Sequence, residues 1–164
     1  MTNYPVVRAR LIAEINNMDM LYEELNKKEL FVNNGKVKKK LNDMFFLRAV
    51  GSVFHDFYTS AENMFKTIAR DIDKSIPDNK DWHIELLQQM YIEIDGTRPA
   101  VISKKTFELL NEYRGFRHIF RNVYGFNLTS ERMEYLLSIF PKTVDNIKSD
   151  TKNFVLEMDS AVLP

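Results

Sequence analysis

Apolar positions in this chain recur at steps of three and four residues, with none of the strict alternation that marks a half-buried strand. In the first segment Leu11, Ile15, Met18, Tyr22 and Leu25 form one stripe, which ends where Asn33, Asn34 and Gly35 supply a turn. The second segment runs from about Lys36 to Asp73 and carries Leu47, Val50, Phe54, Tyr58, Ala61, Phe65, Ile68 and Ile72 on one face. That stripe lasts about seven turns at 3.6 residues each and predicts the central helix of a bundle. Pro77, Asp78 and Asn79 then break the pattern, and Asp81 is placed to cap a shorter helix bearing Trp82, Leu86, Leu87, Met90 and Tyr91.

The loop Asp95–Pro99 closes that short helix, and Ser103 is placed to cap a fourth one reaching about Tyr124. Gly125 permits a left-handed stop, and Thr129 caps a fifth helix expected to end near Phe154, with Pro141 kinking or dividing it. Four long helices, antiparallel because their connections are short, with one short helix inserted, predict an all-α up-and-down bundle. No internal repeat or linker interrupts the chain, so residues 1–164 read as a single domain.

Composition narrows the class. At 164 residues, folding buries roughly 70% of the surface that the unfolded chain exposes, enough for a core without disulfide or metal staples. With 45% hydrophobic and 28% charged residues the chain is too apolar for disorder and too polar for a membrane protein. Lys plus Arg and Asp plus Glu balance at 23 each, so any polyanion must be met by a local basic patch. The absence of cysteine excludes disulfides, thiolate catalysis and thiolate zinc sites, and fits a cytoplasmic location. Arg8, Arg10 and Glu14 interrupt the N-terminal segment too early for a signal peptide or a transmembrane span. Phosphate loops, dinucleotide fingerprints and serine-hydrolase elbows are missing, so no cofactor is expected.

The fourth helix carries the candidate chemistry. At about 100° per residue, Phe116, Ile119, Phe120 and Val123 share one face, expected to look inward. Arg114, Arg117, His118, Arg121 and Asn122 share the other, with Tyr124 at its edge. Between Val101 and Phe126 five Lys or Arg stand against two Glu, so the helix is locally positive. Guanidinium groups hold phosphoryl oxygens bidentately and His118 can exchange a proton, which suits a phosphate. The simpler reading is a solvated face whose arginines pair with Glu108, Glu112 and acids on neighbouring helices. Gly115, which costs a helix roughly 0.5 to 1 kcal/mol relative to alanine, points to a close approach by another backbone, subunit or ligand, or else to drift.

Other groups carry less. His55 and Glu62 lie seven residues apart on one face, and with His83 and His118 they outline a metal site, but no His-x-x-x-His or Glu-x-x-His pair supports one. His55 reads instead as a bundle histidine hydrogen-bonded to a neighbouring helix. Lys36, Lys38, Lys39 and Lys40 lie at a helix start, where positive charge opposes the macrodipole. They read as a solvated run, with RNA-backbone contact as the alternative.

The segment FRHIFRNVYGFNL resembles the signature of the HepT-like proteins of the HEPN superfamily, all-helical ribonuclease toxins paired with a nucleotidyltransferase antitoxin. FHDFYTSAENMFKTIARDID, IPDNKDWHIELLQQM and RPAVIS, in that order, extend the resemblance over about residues 40 to 140. The family motif reads Arg, four residues, His, one residue, Tyr, with a polar residue after the Arg. Here Arg117, His118 and Tyr124 fill the Arg, polar and Tyr positions, and Asn122 stands where the family has His. The resemblance implies metal-independent RNA cleavage, in which a base helps the ribose 2′-hydroxyl attack the adjacent phosphate while Arg117 stabilises the phosphorane. Asn122 cannot carry a proton at neutral pH, which leaves His118 as a substitute, or else a lapsed catalyst that still holds RNA or a partner protein. The resemblance further implies a homodimer with Arg114 and Arg121 adding to an RNA cleft, and an antitoxin that transfers adenylate to Tyr124.

Overall fold

The computed structural model describes residues 3–32, 35–122 and 128–162. Its helices are α1 (Tyr4–Asn26), α2 (Lys36–Lys40), α3 (Met44–Ile68), α4 (Trp82–Tyr91), α5 (Lys104–Asn122) and α6 (Ser130–Val162). Among the described residues the only β pairing is an isolated bridge between Ile94 and Arg98, so the all-α bundle expected from the periodicity is present. The central helix α3 packs against α1, α4, α5 and α6. Its stripe from Leu47 through Val50, Phe54, Tyr58, Ala61 and Phe65 to Ile68 is buried as expected, and Ile72 rests on the same core.

Helix boundaries differ from the sequence expectation at the second segment and at the last helix. The segment from Lys36 to Asp73 is not one helix: it breaks between Lys40 and Met44. The carboxylate of Asp43 accepts hydrogen bonds from the backbone N–H groups of Phe45 and Phe46, and this side-chain cap starts a new helix although Val37, Leu41, Met44 and Leu47 keep the three- and four-residue spacing. At the other end α3 passes into a π-helical turn over residues 69–73, which stops at Lys74 in the left-handed region, φ 58°.

Asp81 stands at the N-cap of α4, but its side chain makes no capping bond. Its backbone N–H instead donates to Asn79 Oδ1, whose amide group in turn binds Glu85. Ser103 does cap α5, its hydroxyl accepting from the Thr106 N–H. The last helix neither divides at Pro141 nor stops near Phe154: it runs to Val162 with Pro141 inside it. A proline within a helix costs ~3 kcal/mol, and burial of Leu136, Leu137 and Phe140 before it and Val144, Ile147 and Phe154 after it offsets that cost.

The π turn sets the position of α4. It turns Asp73 inward onto Arg98, whose side chain is 0% exposed beside a carboxylate at 1%. Arg98 Nε and Nη2 donate to the two Asp73 oxygens at 2.6 and 2.8 Å, while Nη1 and Nη2 donate to the carbonyls of Ile92, Pro99 and Gln89. The end of α3, the end of α4 and the following turn are thereby tied to one guanidinium. That tie holds α4, with His83 in its first turn, against α3.

Candidate functional site

A carboxylate within a buried stretch of helix requires partners, because desolvating an unpaired charge is costly. Glu62 lies between Ala61 and Met64 on α3 with a side chain only 3% exposed, and its neighbours supply them. Arg117 of α5 donates from Nη1 to both carboxylate oxygens at 3.0 Å. His83 of α4 places Nδ1 2.6 Å from Oε2, and Lys66, one turn along α3, places its ammonium 3.4 Å from Oε1. Trp82 stacks on the His83 ring at 3.6 Å between centroids, with Lys66 4.2 Å above the indole. Three helices therefore meet at one carboxylate.

On the solvent side of this cluster lies a pocket of about 40 Å³ lined by His83, Arg114, Arg117, His118, Arg121 and Asn122. The structure thus brings together Arg114, Arg117, His118, Arg121 and Asn122 as the sequence suggested, and adds His83 from another helix. Tyr124 lies outside the described residues, as does Val123. Sequence reasoning set Glu62 and His83 together only within a metal outline, and it missed Lys66 and the pairing of Glu62 with Arg117. The signal for them was a lone carboxylate set among apolar positions of α3.

The simpler reading of the arginine face is correct in part. Arg117 is ion-paired, but with Glu62 rather than with Glu108 or Glu112, and its side chain is only 12% exposed. Glu112 pairs instead with Arg132 of α6. Arg114 donates from Nε to Asn111, and Arg121 forms no ion pair with a described residue. Turning Arg117 inward rotates Ile119 outward, where it is 48% exposed instead of facing the core as expected.

Asn122 folds back along its own helix, donating to the His118 carbonyl at 2.8 Å, and both side chains are exposed. No hydrogen bond from a described residue fixes the His118 ring. His55 departs from expectation: its Nδ1 is buried without a hydrogen-bond partner, and the ring lies 5.6 Å from that of Phe120. Burial pushes its imidazole below the ordinary value, and the charge of Arg117 adds to the effect. Arg117 Nε is likewise buried and unpartnered. Of the four residues that outline a metal site in the sequence, Glu62 and His83 meet in a hydrogen bond and His118 lines the pocket beside His83, and among the described residues no group of three or more His, Asp or Glu is arranged to hold a metal ion. The described helices include none long and apolar enough to cross a membrane.

The all-α bundle is the fold that the resemblance implied. The family profile of HepT-like proteins matches residues 49–158, about two thirds of the chain, and the chain belongs to that family. No curated protein and no solved structure matched in the corresponding comparisons.

Proposed function

We propose that this protein is a toxin-type endoribonuclease of the HEPN kind, cleaving RNA without a metal ion at the pocket on α5. The observation that carries this reading is the convergence of Arg114, Arg117 and Arg121 with two histidines on one pocket, with Arg117 fixed in place by a buried carboxylate. A guanidinium held this way is preorganised to stabilise charge that develops on a phosphorane. The second reading, a lapsed catalyst that retains RNA or protein binding, is favoured by Asn122, whose amide is engaged with the His118 carbonyl and carries no proton to transfer.

Cleavage of single-stranded RNA in the presence of a chelator separates the two. In the enzyme reading the natural protein cleaves and Arg117→Ala loses about 100- to 1,000-fold, while Asn122→His gains rate. If Asn122→His cleaves strongly and the natural protein stays with Arg117→Ala at background, the lapsed-catalyst reading stands.

The same reading includes a twofold homodimer about α5, which would set two arginine pockets around one cleft. Two features of that helix support it: Ile119 is exposed, and a Cβ built on Gly115 meets nothing within 4 Å inside the chain. We expect a dimer by sedimentation at micromolar concentration and a monomer for Gly115→Leu with an unchanged melting temperature; a monomeric natural protein rules this out. The partner proposed is a nucleotidyltransferase antitoxin that adenylates Tyr124. Intact mass after co-expression tests it, and absence of added adenylate at Tyr124 removes the modification.

A further inference from the structure

We propose that His83, held by Glu62, is the general base of this site, doing the work of the histidine that Asn122 displaces. The inference rests on the ribonuclease reading above. His83 belongs to α4, far from the motif in sequence, yet it lines the same pocket as Arg117, His118 and Asn122. Its Nδ1 lies 2.6 Å from a carboxylate that is 3% exposed. A buried carboxylate at that distance takes the Nδ1 proton as its hydrogen-bond donor, which fixes the tautomer and leaves Nε2 as the basic nitrogen. The same carboxylate stabilises the imidazolium formed when Nε2 accepts a proton. Trp82, stacked on the ring, fixes its plane.

His118 has none of this support: it is exposed, and no described residue orients its ring. Glu62 is also the residue that fixes Arg117, so one carboxylate sets the base and the phosphate-binding guanidinium in a common frame. The charged groups facing His83 are Glu62 and Lys66 on α3 and Arg114, Arg117, His118 and Arg121 on α5.

In the reaction, Nε2 of neutral His83 takes the ribose 2′-hydroxyl proton as that oxygen bonds to phosphorus. The bond from phosphorus to the 5′-oxygen breaks, that oxygen takes a proton from water, and the imidazolium returns its proton to the hydroxide so formed. The products are a 2′,3′-cyclic phosphate and a 5′-hydroxyl end. Glu62 is a positioning residue and does not touch the RNA.

The test compares the natural protein with His83→Ala, His118→Ala and Glu62→Gln in chelator-containing buffer, with binding of a 2′-deoxy analogue of the RNA and circular dichroism measured on each variant. We expect His83→Ala to lose about 100- to 10,000-fold in rate with binding and fold retained, and added imidazole to restore part of the loss. Glu62→Gln is expected to lose rate as well, because Nδ1 loses the carboxylate that fixes the ring and its tautomer. Retained rate in His83→Ala with loss in His118→Ala overturns the assignment and leaves the ribonuclease reading intact. Loss in His83→Ala that imidazole does not restore reduces His83 to a structural support and also overturns it. A natural protein that cleaves nothing overturns both.

Discussion

Arg98→Ala is expected to destabilise the bundle by about 3–5 kcal/mol, the usual result of removing one member of a buried ion pair. The effect arises from what is left behind. Asp73, at 1% exposure, would keep only the Gln89 amide at 2.6 Å, and three carbonyls, those of Gln89, Ile92 and Pro99, would lose their shared donor. For a chain of this length that corresponds to a fall in melting temperature of about 6–20 °C. It is a large part of the ~5–15 kcal/mol that holds a typical domain folded. A double-mutant cycle with Asp73→Ala checks the cause: the two single losses should sum to clearly more than the loss in the double variant. Additive losses would mean that the pair itself contributes nothing and that the carbonyl bonds carry the effect.

Phe140→Ala should cost a similar ~3–5 kcal/mol, through an entirely apolar mechanism. Phe140 is 0% exposed and sits among the rings of Tyr22, Phe31, Phe54, Phe57 and Tyr113, with centroids 4.9 to 6.4 Å away. These rings come from α1, the segment after it, α3 and α5, so no single element can collapse into the space. Chemical denaturation is the measurement, with Leu156→Ala on the same helix as control. Leu156 is 54% exposed, and its truncation should fall within about 0.5 kcal/mol of the natural protein. A loss below about 1 kcal/mol for Phe140→Ala would show that the aromatic cluster repacks.

The apolar stripes of α1, α3 and α4 were legible in the sequence because helical spacing is a local property and each stripe faces one core. Local reasoning failed where a distant partner decides. The break before Met44 is invisible in the apolar spacing and depends on one carboxylate, Asp43, finding two N–H groups. Pro141 was given too much weight because the burial on either side of it belongs to the tertiary structure. Arg98 looked like loop punctuation beside Gly96 and Pro99, since its acid lies 25 positions away. The arginines of α5 were legible through their spacing and the motif they complete. Their anchor was not, because Glu62 lies 55 positions from Arg117 and 21 from His83.

That shared anchor constrains how the sequence can drift. If Arg117 or His83 is replaced first, Glu62 keeps other partners and the bundle tolerates the loss. If Glu62 is replaced first, Arg117, His83 and Lys66 are left crowded together with no counter-charge at the junction of three helices. Substitutions at these positions are therefore ordered in time: lineages losing the site should shed one cation before the carboxylate, and Glu62 should not outlast the last of its partners.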